Sequence, residues 1–219
     1  MILQAILISI SLSLELPEKL CNITVSGISS KQASQFEQLL NRIRNEVATG
    51  RRANHKGQIQ YAADMHIITW SKDMAKKAQE CCDTCPEYPI FCRNLKGLTS
   101  FMIHKIIVHT QKWEWDPDFV LNEWMQSLDS AQQLLQSMLL QVGCGRALTP
   151  IKDKFLMYTV CFFDYPNRVD PYRPASSLNP ANFCRLGRSS SYIGLCTSPY
   201  SKDNQLIWIK QESRLIESE

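Results

Sequence analysis

The sequence predicts a single globular domain that combines α-helices with β-strands. The chain has 219 residues, and one hydrophobic core usually serves roughly 100–200 residues. Apolar residues make up 44% of the chain and charged residues 21%, a balance typical of globular rather than disordered proteins. Amphipathic segments with helical spacing alternate with segments rich in aromatic and β-branched residues, which predicts both kinds of element. The net charge of +3 does not by itself indicate a nucleic-acid or anionic-membrane partner.

The N-terminal segment indicates export from the cell. Residues 1–14 read MILQAILISISLSL, an uncharged apolar run that is too short to span a bilayer but suits the core of a signal peptide. Ser11 and Ser13 place small residues at the −3 and −1 positions of a cleavage site before Leu14. We therefore expect a signal peptide over residues 1–13 and a secreted, extracellular protein. A buried N-terminal helix is the alternative, because the segment lacks the basic residues with which a signal peptide usually begins.

A glycosylation sequon follows the expected cleavage site. Asn22-Ile-Thr24 is the only Asn-x-Ser/Thr triplet in the chain. In an exported protein, this triplet predicts a glycan on Asn22.

The first predicted helix begins at a capping box, in which Ser29 and Gln32 cap the first turn reciprocally. Apolar residues then recur at helical spacing until Gly50 ends the run. These residues are Phe36, Leu39, Leu40, Ile43 and Val47. The polar stretch 51–60 has no apolar period and is expected to be a surface loop. Its basic residues Arg51, Arg52 and Lys56 form a small basic loop that is either a solvated connector or a contact for a partner.

Two further helices are predicted from their caps. The second starts at Ser71 and ends in the cysteine cluster, with a stripe of Met74, Ala75, Ala78 and Cys82. The third starts at Asp116, with Pro117 in the first helical position. Its apolar side carries Val120, Leu121, Trp124, Met125 and Leu128. The segment 130–140 either continues this helix or starts another.

Two neighbouring strands are predicted at 142–145 and 154–165. The second segment reads KFLMYTVCFFDY, and its aromatic and β-branched content favours a strand. The remaining segment, 166–219, is rich in Pro, Ser, Asn and Arg. We expect it to wrap the surface, held by Cys184 and Cys196.

Five stretches carry a resemblance to one family. Residues 40–44 read LNRIR, 62–65 read AADM ahead of Trp70, 78–79 read AQ ahead of Cys85 and Cys92, 142–146 and 158–161 read VGCGR and YTVC, and 192–196 read YIGLC. In this order and with similar gaps they resemble the CAP superfamily of cysteine-rich secretory, antigen 5 and pathogenesis-related proteins, and most closely insect antigen 5-like proteins. The resemblance implies an α+β fold, a disulfide-stabilised three-layer α-β-α sandwich. It also implies an N-terminal extension at 14–28, a CAP domain at 29–165 and a C-terminal extension at 166–219.

The resemblance also implies a pattern of disulfides among the nine cysteines. Cys144 is expected to pair with Cys161, Cys184 with Cys196, and Cys21 with Cys85. The usual partner of Cys92 is absent, so Cys82 or its neighbour Cys81 is expected to replace it. Because nine is odd, one thiol should stay free or link two chains into a dimer.

Two rival interpretations use the same cysteines. Cys81, Cys82, Cys85 and Cys92 include a C-x-x-C spacing typical of zinc ligands. Adjacent cysteines are awkward ligands, however, and export favours crosslinks. A redox-active pair is also disfavoured, because this C-x-x-C is predicted at the end of a helix, whereas thiolates are stabilised at helix starts.

The central site of the family is expected to be degenerate. Many members gather two histidines and two glutamates in a cleft that can hold a divalent metal. Here those positions fall on Leu40, Ile103, Ser127 and Ser130, with an uncertainty of a residue or two at Ile103. Leucine and isoleucine cannot ligate a metal, and serine does so poorly alone. We therefore expect no catalytic residue, no bound metal and no cofactor. The histidines, at positions 55, 66, 104 and 109, are interpreted as structural.

A loop linked to sterol binding in some members is nearly deleted, because Ser130 lies only six positions after Trp124. The remaining aromatic residues are expected to pack in the core and sheet rather than form a ligand platform. They are Trp113, Trp115, Phe119, Phe162, Phe163 and Tyr165.

Together these features predict a secreted, non-enzymatic protein that recognises an unidentified protein partner in an extracellular fluid. By analogy with the family, that fluid is reproductive or seminal, salivary or venom secretion. The alternatives are a carrier of a small lipid or sterol and, less well supported, a metal-dependent hydrolase. Neither a nucleic-acid partner nor a membrane anchor is expected.

Overall fold

A mixed sheet forms the middle layer of the computed structural model, which describes residues 22–84, 100–165, 168, 170–175 and 178–200. Its strands are β1 (Val25–Ser26), β2 (Thr69–Trp70), β3 (Ser100–Val108), β4 (Gln141–Ile151) and β5 (Lys154–Phe163). The order across the sheet is β1-β4-β5-β3, with β2 lying parallel beside β4 and the other pairs antiparallel. The β4–β5 pair confirms the two strands predicted from sequence.

Helices cover both faces of this sheet. They are α1 (Ser30–Ala48), α2 (Lys72–Asp83), α3 (Pro117–Gln126) and α4 (Leu128–Leu134). Side chains of α1, α3 and α4 share one buried cluster with one face of the sheet, and those of α2 share another cluster with the opposite face. This arrangement is the expected α-β-α sandwich.

Local sequence signals set the starts of three helices. Ser29 and Gln32 form the predicted capping box of α1, Ser71 accepts a hydrogen bond from the Met74 amide at the start of α2, and Asp116 caps α3 ahead of Pro117. These side-chain acceptors satisfy amides that have no partner within the helix.

The predicted third helix is interrupted at Ser127. This residue ends α3 and begins α4, and its backbone is extended at φ −87° and ψ 127°. The predicted apolar stripe therefore stops before Leu128, which is 59% exposed. The segment 130–140 does not continue α3: it completes α4 as far as Leu134 and then leaves the helix.

The edge strand β3 was not predicted. Met102, His104 and Val108 are buried on one side of it, but Ile103 and Ile107 place apolar side chains on the other. A half-buried strand is recognised by alternating apolar and polar residues, and this alternation is absent when both faces carry apolar side chains.

Two glycines of β4 allow α2 to approach the sheet closely. A Cβ on Gly143 would lie 2.2 Å from the Ala75 amide nitrogen, and one on Gly145 would lie 2.4 Å from that of Gln79. Any larger residue would push the helix away, since such separations are well below van der Waals contact. The close packing of α2 on β4 therefore accounts for the two glycines of the VGCG stretch.

Several predicted features lie outside the described residues. They are the signal peptide 1–13, the extension up to residue 21, the cysteines at positions 21, 85 and 92, and the segment 201–219. In the part of the chain that is described, no helix has the length and apolar character needed to cross a membrane.

Candidate functional site

The first family ligand position, Leu40, lies in the apolar core. Leu40 is fully buried on α1 and belongs to the cluster that contains Phe36 and Trp115. The Trp115 ring stacks on Phe36 with centroids 5.8 Å apart and an interplanar angle of 22°. Aromatic and aliphatic side chains therefore occupy the interior around this position.

Trp115 is anchored by a buried hydrogen bond. Its indole Nε1 donates to Thr159 Oγ1 on β5 at 2.8 Å, and both side chains are almost completely buried. An indole N–H taken from water requires such a partner. As predicted, Trp115 packs in the core, and Phe162 and Phe163 are buried as well. Trp113 and Phe119 are instead partly exposed, which corrects the prediction that they belong to the core.

The position assigned to Ile103 does not face Leu40. Ile103 packs against the cluster beneath α2, on the opposite face of the sheet. Successive residues of a strand point to opposite faces, so its neighbour His104 faces helix α3 instead. The His104 ring meets Phe119 and Trp124 edge to face at 5.8 and 6.3 Å. A shift of one residue in the alignment therefore places a histidine, rather than an isoleucine, on this face.

His104 is held in an apolar environment. Its Nδ1 is buried and has no hydrogen-bond partner among the described residues. Burial lowers the pKa of His104, and the nearby carboxylate of Glu123 partly opposes this effect. The side chain is therefore neutral at physiological pH.

The two serine positions lie at the junction of α3 and α4. Ser127 is exposed and joins the two helices, and Ser130 is half-buried in α4. With one residue between the helices, the connection leaves no room for the long family loop. In the described ranges no group of three or more histidine, cysteine, aspartate or glutamate residues has the geometry of a metal site.

The last residue of the LNRIR stretch, Arg44, is buried in the interior. Its guanidinium is completely buried and donates to the backbone oxygens of His66, Leu134 and Gln136, at 2.5 to 3.1 Å. Burial lowers the pKa of Arg44 to about 9, so the group stays charged at neutral pH. Arg44 therefore connects α1 to the segment that contains His66 and to the end of α4, and its role is structural.

The other histidines do not converge on one site. His66 contacts the Ser137 carbonyl oxygen through Nδ1 at 3.0 Å, and burial lowers its pKa. His55 lines a polar cavity of about 530 Å³, and burial, followed by the charge of Lys56, lowers its pKa. His109 is exposed beyond β3.

The structure pairs four of the cysteines in the expected way. Cys144 is bonded to Cys161 across β4 and β5, and Cys184 is bonded to Cys196. Of the two candidates for a bond to Cys92, Cys82 is a buried free thiol, and desolvation raises the pKa of this thiol. Its neighbour Cys81 is disulfide-bonded. On α2, the side chain of Cys82 is in the core and thus unavailable for a crosslink.

The disulfide from Cys184 to Cys196 closes a loop, here called the C-terminal loop (residues 184–196). Leu186 and Ile193 in this loop, and Leu178 and Phe183 just before it, are 50% to 79% exposed. The guanidinium of Arg173 lies 4.5 Å from the centroid of the Phe183 ring. The loop therefore presents large apolar side chains to solvent from a covalently closed backbone.

The basic loop and the sequon also lie at the surface. Arg51 and Lys56 are exposed, and Arg52 lies 3.9 Å from Glu46 in a half-buried ion pair. Asn22 is exposed at the first described position, while Thr24 donates to the Leu148 carbonyl oxygen.

A cavity of about 800 Å³ lies beside α1, and Leu40 is not among the residues that line it. Its wall combines Glu37 of α1 with Trp70 of β2 and Tyr192 of the C-terminal loop. No motif marks this site in the sequence, because its residues lie far apart in the chain.

Comparison with known proteins identifies the family. The model of the cysteine-rich secretory protein family, CAP, matches residues 38–163, which is more than half of the chain. A venom allergen 5 of Tityus serrulatus is 25% identical over 210 residues, covering 80% of this chain. The chain spans half the length of that relative.

Solved structures with the same fold include BmVAL-1, with a TM-score of 0.59 and 16% identity over 78% of this chain and 96% of that one. NaASP2, solved with Zn²⁺, has a TM-score of 0.55 and 17% identity over 78% and 97%. A hookworm platelet inhibitor has a TM-score of 0.54 and 14% identity over 84% and 95%. At these identities the likeness concerns the fold. Together with the family match, it shows that this chain belongs to the cysteine-rich secretory protein (CAP) family.

Proposed function

We propose that this chain is a secreted, non-enzymatic CAP protein that acts by recognising another protein in an extracellular fluid. The observation that carries the proposal is the C-terminal loop, which exposes Leu186 and Ile193 next to Phe183. Exposed apolar side chains on a rigid backbone are typical of protein-binding surfaces, because binding buries apolar area with little loss of conformational entropy.

The core supports the same proposal. Leu40, Phe36 and Trp115 fill the region where a hydrolytic or metal-binding cleft would need polar side chains. Disulfides each contribute roughly 2–4 kcal/mol to stability, so a crosslinked interior tolerates changes in surface loops. The family description as secretory proteins supports export, and the exposed Asn22 is a suitable acceptor for a glycan.

The test is affinity capture from the extracellular fluid of the source organism, followed by quantitative mass spectrometry. The wild-type chain is compared with a variant that carries both Leu186→Asp and Ile193→Asp. Leu128→Asp is the matched control, since Leu128 is equally exposed but lies on α4. We expect a partner that is enriched by the wild type and the control and lost with the loop variant. Equal enrichment by all three proteins would contradict the proposal.

A further inference from the structure

The cavity beside α1 has the size of a small-molecule site. Its volume of about 800 Å³ falls within the range of roughly 300–1,000 Å³ that is typical of ligand pockets. Apolar side chains such as Ile28, Ala33 and Ile68 form part of its wall. None of the four family ligand positions, Leu40, Ile103, Ser127 and Ser130, lines this cavity.

One carboxylate is fixed in this wall. Glu37 is half-buried, and its Oε2 accepts a hydrogen bond from the Trp70 amide at 2.6 Å. Within the described part of the chain, Glu37 has no ion pair. Lys72 also lines the cavity but is exposed, so its ammonium group is solvated. The second carboxylate oxygen of Glu37 therefore remains available to a cationic ligand.

Two aromatic side chains lie near this carboxylate. Trp70 is half-buried and is held edge to face against Phe36, with ring centroids 6.0 Å apart. Tyr192 reaches over α1, and its hydroxyl donates to the Gln38 carbonyl oxygen at 3.5 Å. Burial and, second, the negative charge of Glu37 raise the pKa of Tyr192, which is consistent with their proximity.

Asn41 lines the same wall but is not free for recognition. Its side chain donates to the Ile68 carbonyl oxygen and accepts from the Ile68 amide, both at 2.8 Å. This pair of bonds fixes the strand segment that leads into Trp70. The Glu37 carboxylate and the two aromatic rings are therefore the groups of this wall to which a cation can bind.

We propose that this cavity binds a small organic amine, with the ammonium group on Glu37 and the apolar body against Trp70 and Tyr192. A charge-assisted hydrogen bond to a carboxylate is among the stronger polar contacts, and aromatic faces attract cations further. The C-terminal loop contributes Tyr192 to one side of the site, and its disulfide joins the two ends of the loop that carries this residue.

The test is calorimetric titration of the full chain with phenethylamine and hexylamine, and with 3-phenylpropionate as the anionic counterpart. We expect both amines to bind saturably at one site per chain and the carboxylate not to bind. Glu37→Gln keeps an oxygen for the Trp70 amide but removes the charge, and should weaken amine binding about 10- to 100-fold. Glu80→Gln, an exposed change on α2 outside the cavity, should leave the affinity unchanged.

A second variant guards against a folding defect in Glu37→Gln. Tyr192→Leu lies outside the helices and should weaken amine binding several-fold, and circular dichroism will establish that both variants are folded. Absence of saturable amine binding to the wild type, unchanged affinity in folded Glu37→Gln, or preferential binding of 3-phenylpropionate would each overturn the proposal.

Discussion

The Gly194 amide donates a hydrogen bond to Asn45 Oδ1 at 2.8 Å and so fastens the C-terminal loop to α1. The two residues are separated by 149 positions. A Cβ on Gly194 would lie 2.6 Å from Cγ2 of Thr49, the residue that caps the C-terminal end of α1. The absence of a side chain at Gly194 is therefore what allows the loop to lie against the helix.

This relationship predicts that Gly194→Ala will loosen the loop. The added methyl group must displace Thr49 or the loop, which we expect to destabilise the protein by about 1–3 kcal/mol. Urea unfolding will measure the loss, and hydrogen exchange will show it as reduced protection of the Gly194 region. Thr49→Ser removes the opposing methyl group and should partly restore stability in the double variant. Ser191→Ala, an exposed change in the same loop, is the control. Unchanged stability of Gly194→Ala would argue against the close packing.

The buried guanidinium of Arg44 predicts a large effect of a conservative change. Arg44→Lys keeps the charge, but one ammonium group cannot reproduce the planar set of donors that serves three carbonyl oxygens. Since unsatisfied buried groups each cost about 1–3 kcal/mol, we expect a loss of roughly 3 kcal/mol or more in the free energy of unfolding. Arg42→Lys, in an exposed ion pair with Asp118 at 3.8 Å, should change stability by less than about 0.5 kcal/mol. Similar losses for the two variants would refute the anchoring role.

The bond from Trp115 to Thr159 can be removed with little change in shape. Thr159→Val leaves the indole N–H buried without an acceptor, and we expect a loss of about 1–3 kcal/mol in stability. Thr159→Ser retains the hydroxyl and should lose less. Denaturant unfolding followed by tryptophan fluorescence will measure both. A Val variant as stable as the Ser variant would show that the hydrogen bond contributes nothing.

The buried histidines predict that stability falls in mild acid. Burial lowers the pKa values of His66 and His104 below the value of 6.5 expected in the unfolded chain. Below that pH the unfolded state therefore binds more protons than the folded state, and the free energy of unfolding should decrease as the pH falls from about 7.5 to about 5.5. Burial raises the pKa of Asp164, so this carboxyl has the opposite effect, because the folded state then binds its proton more tightly than the unfolded state.

The variant His104→Phe isolates the contribution of His104 to the pH dependence of the free energy of unfolding. The new ring can keep the contacts with Phe119 and Trp124 but cannot bind a proton. We expect a shallower dependence of unfolding free energy on pH between about 7.5 and 5.5, measured by urea titration at each pH. A slope identical to that of the wild type would assign the effect to other groups.

Local patterns predicted those parts of the fold that depend on near neighbours. Two helix caps are examples: the capping box at Ser29 and the Asp116 cap ahead of Pro117. Each involves residues within three positions of one another, so the sequence alone predicts it. The end of α3 at Ser127 was missed because the apolar period continues to Leu128, and only the packed structure leaves that side chain in solvent. The strand β3 was missed because both of its faces carry apolar residues.

The sequence by itself determined that the chain combines helices with strands, where three of the helices begin, and the family. Tertiary structure decided which side of the sheet Ile103 and His104 face, which of Cys81 and Cys82 stays free, and that Glu37, Trp70 and Tyr192 meet around one cavity. The physical reason is that these outcomes depend on the order of strands in the sheet and on contacts between segments up to 155 residues apart, for which no short pattern of residues carries a signal.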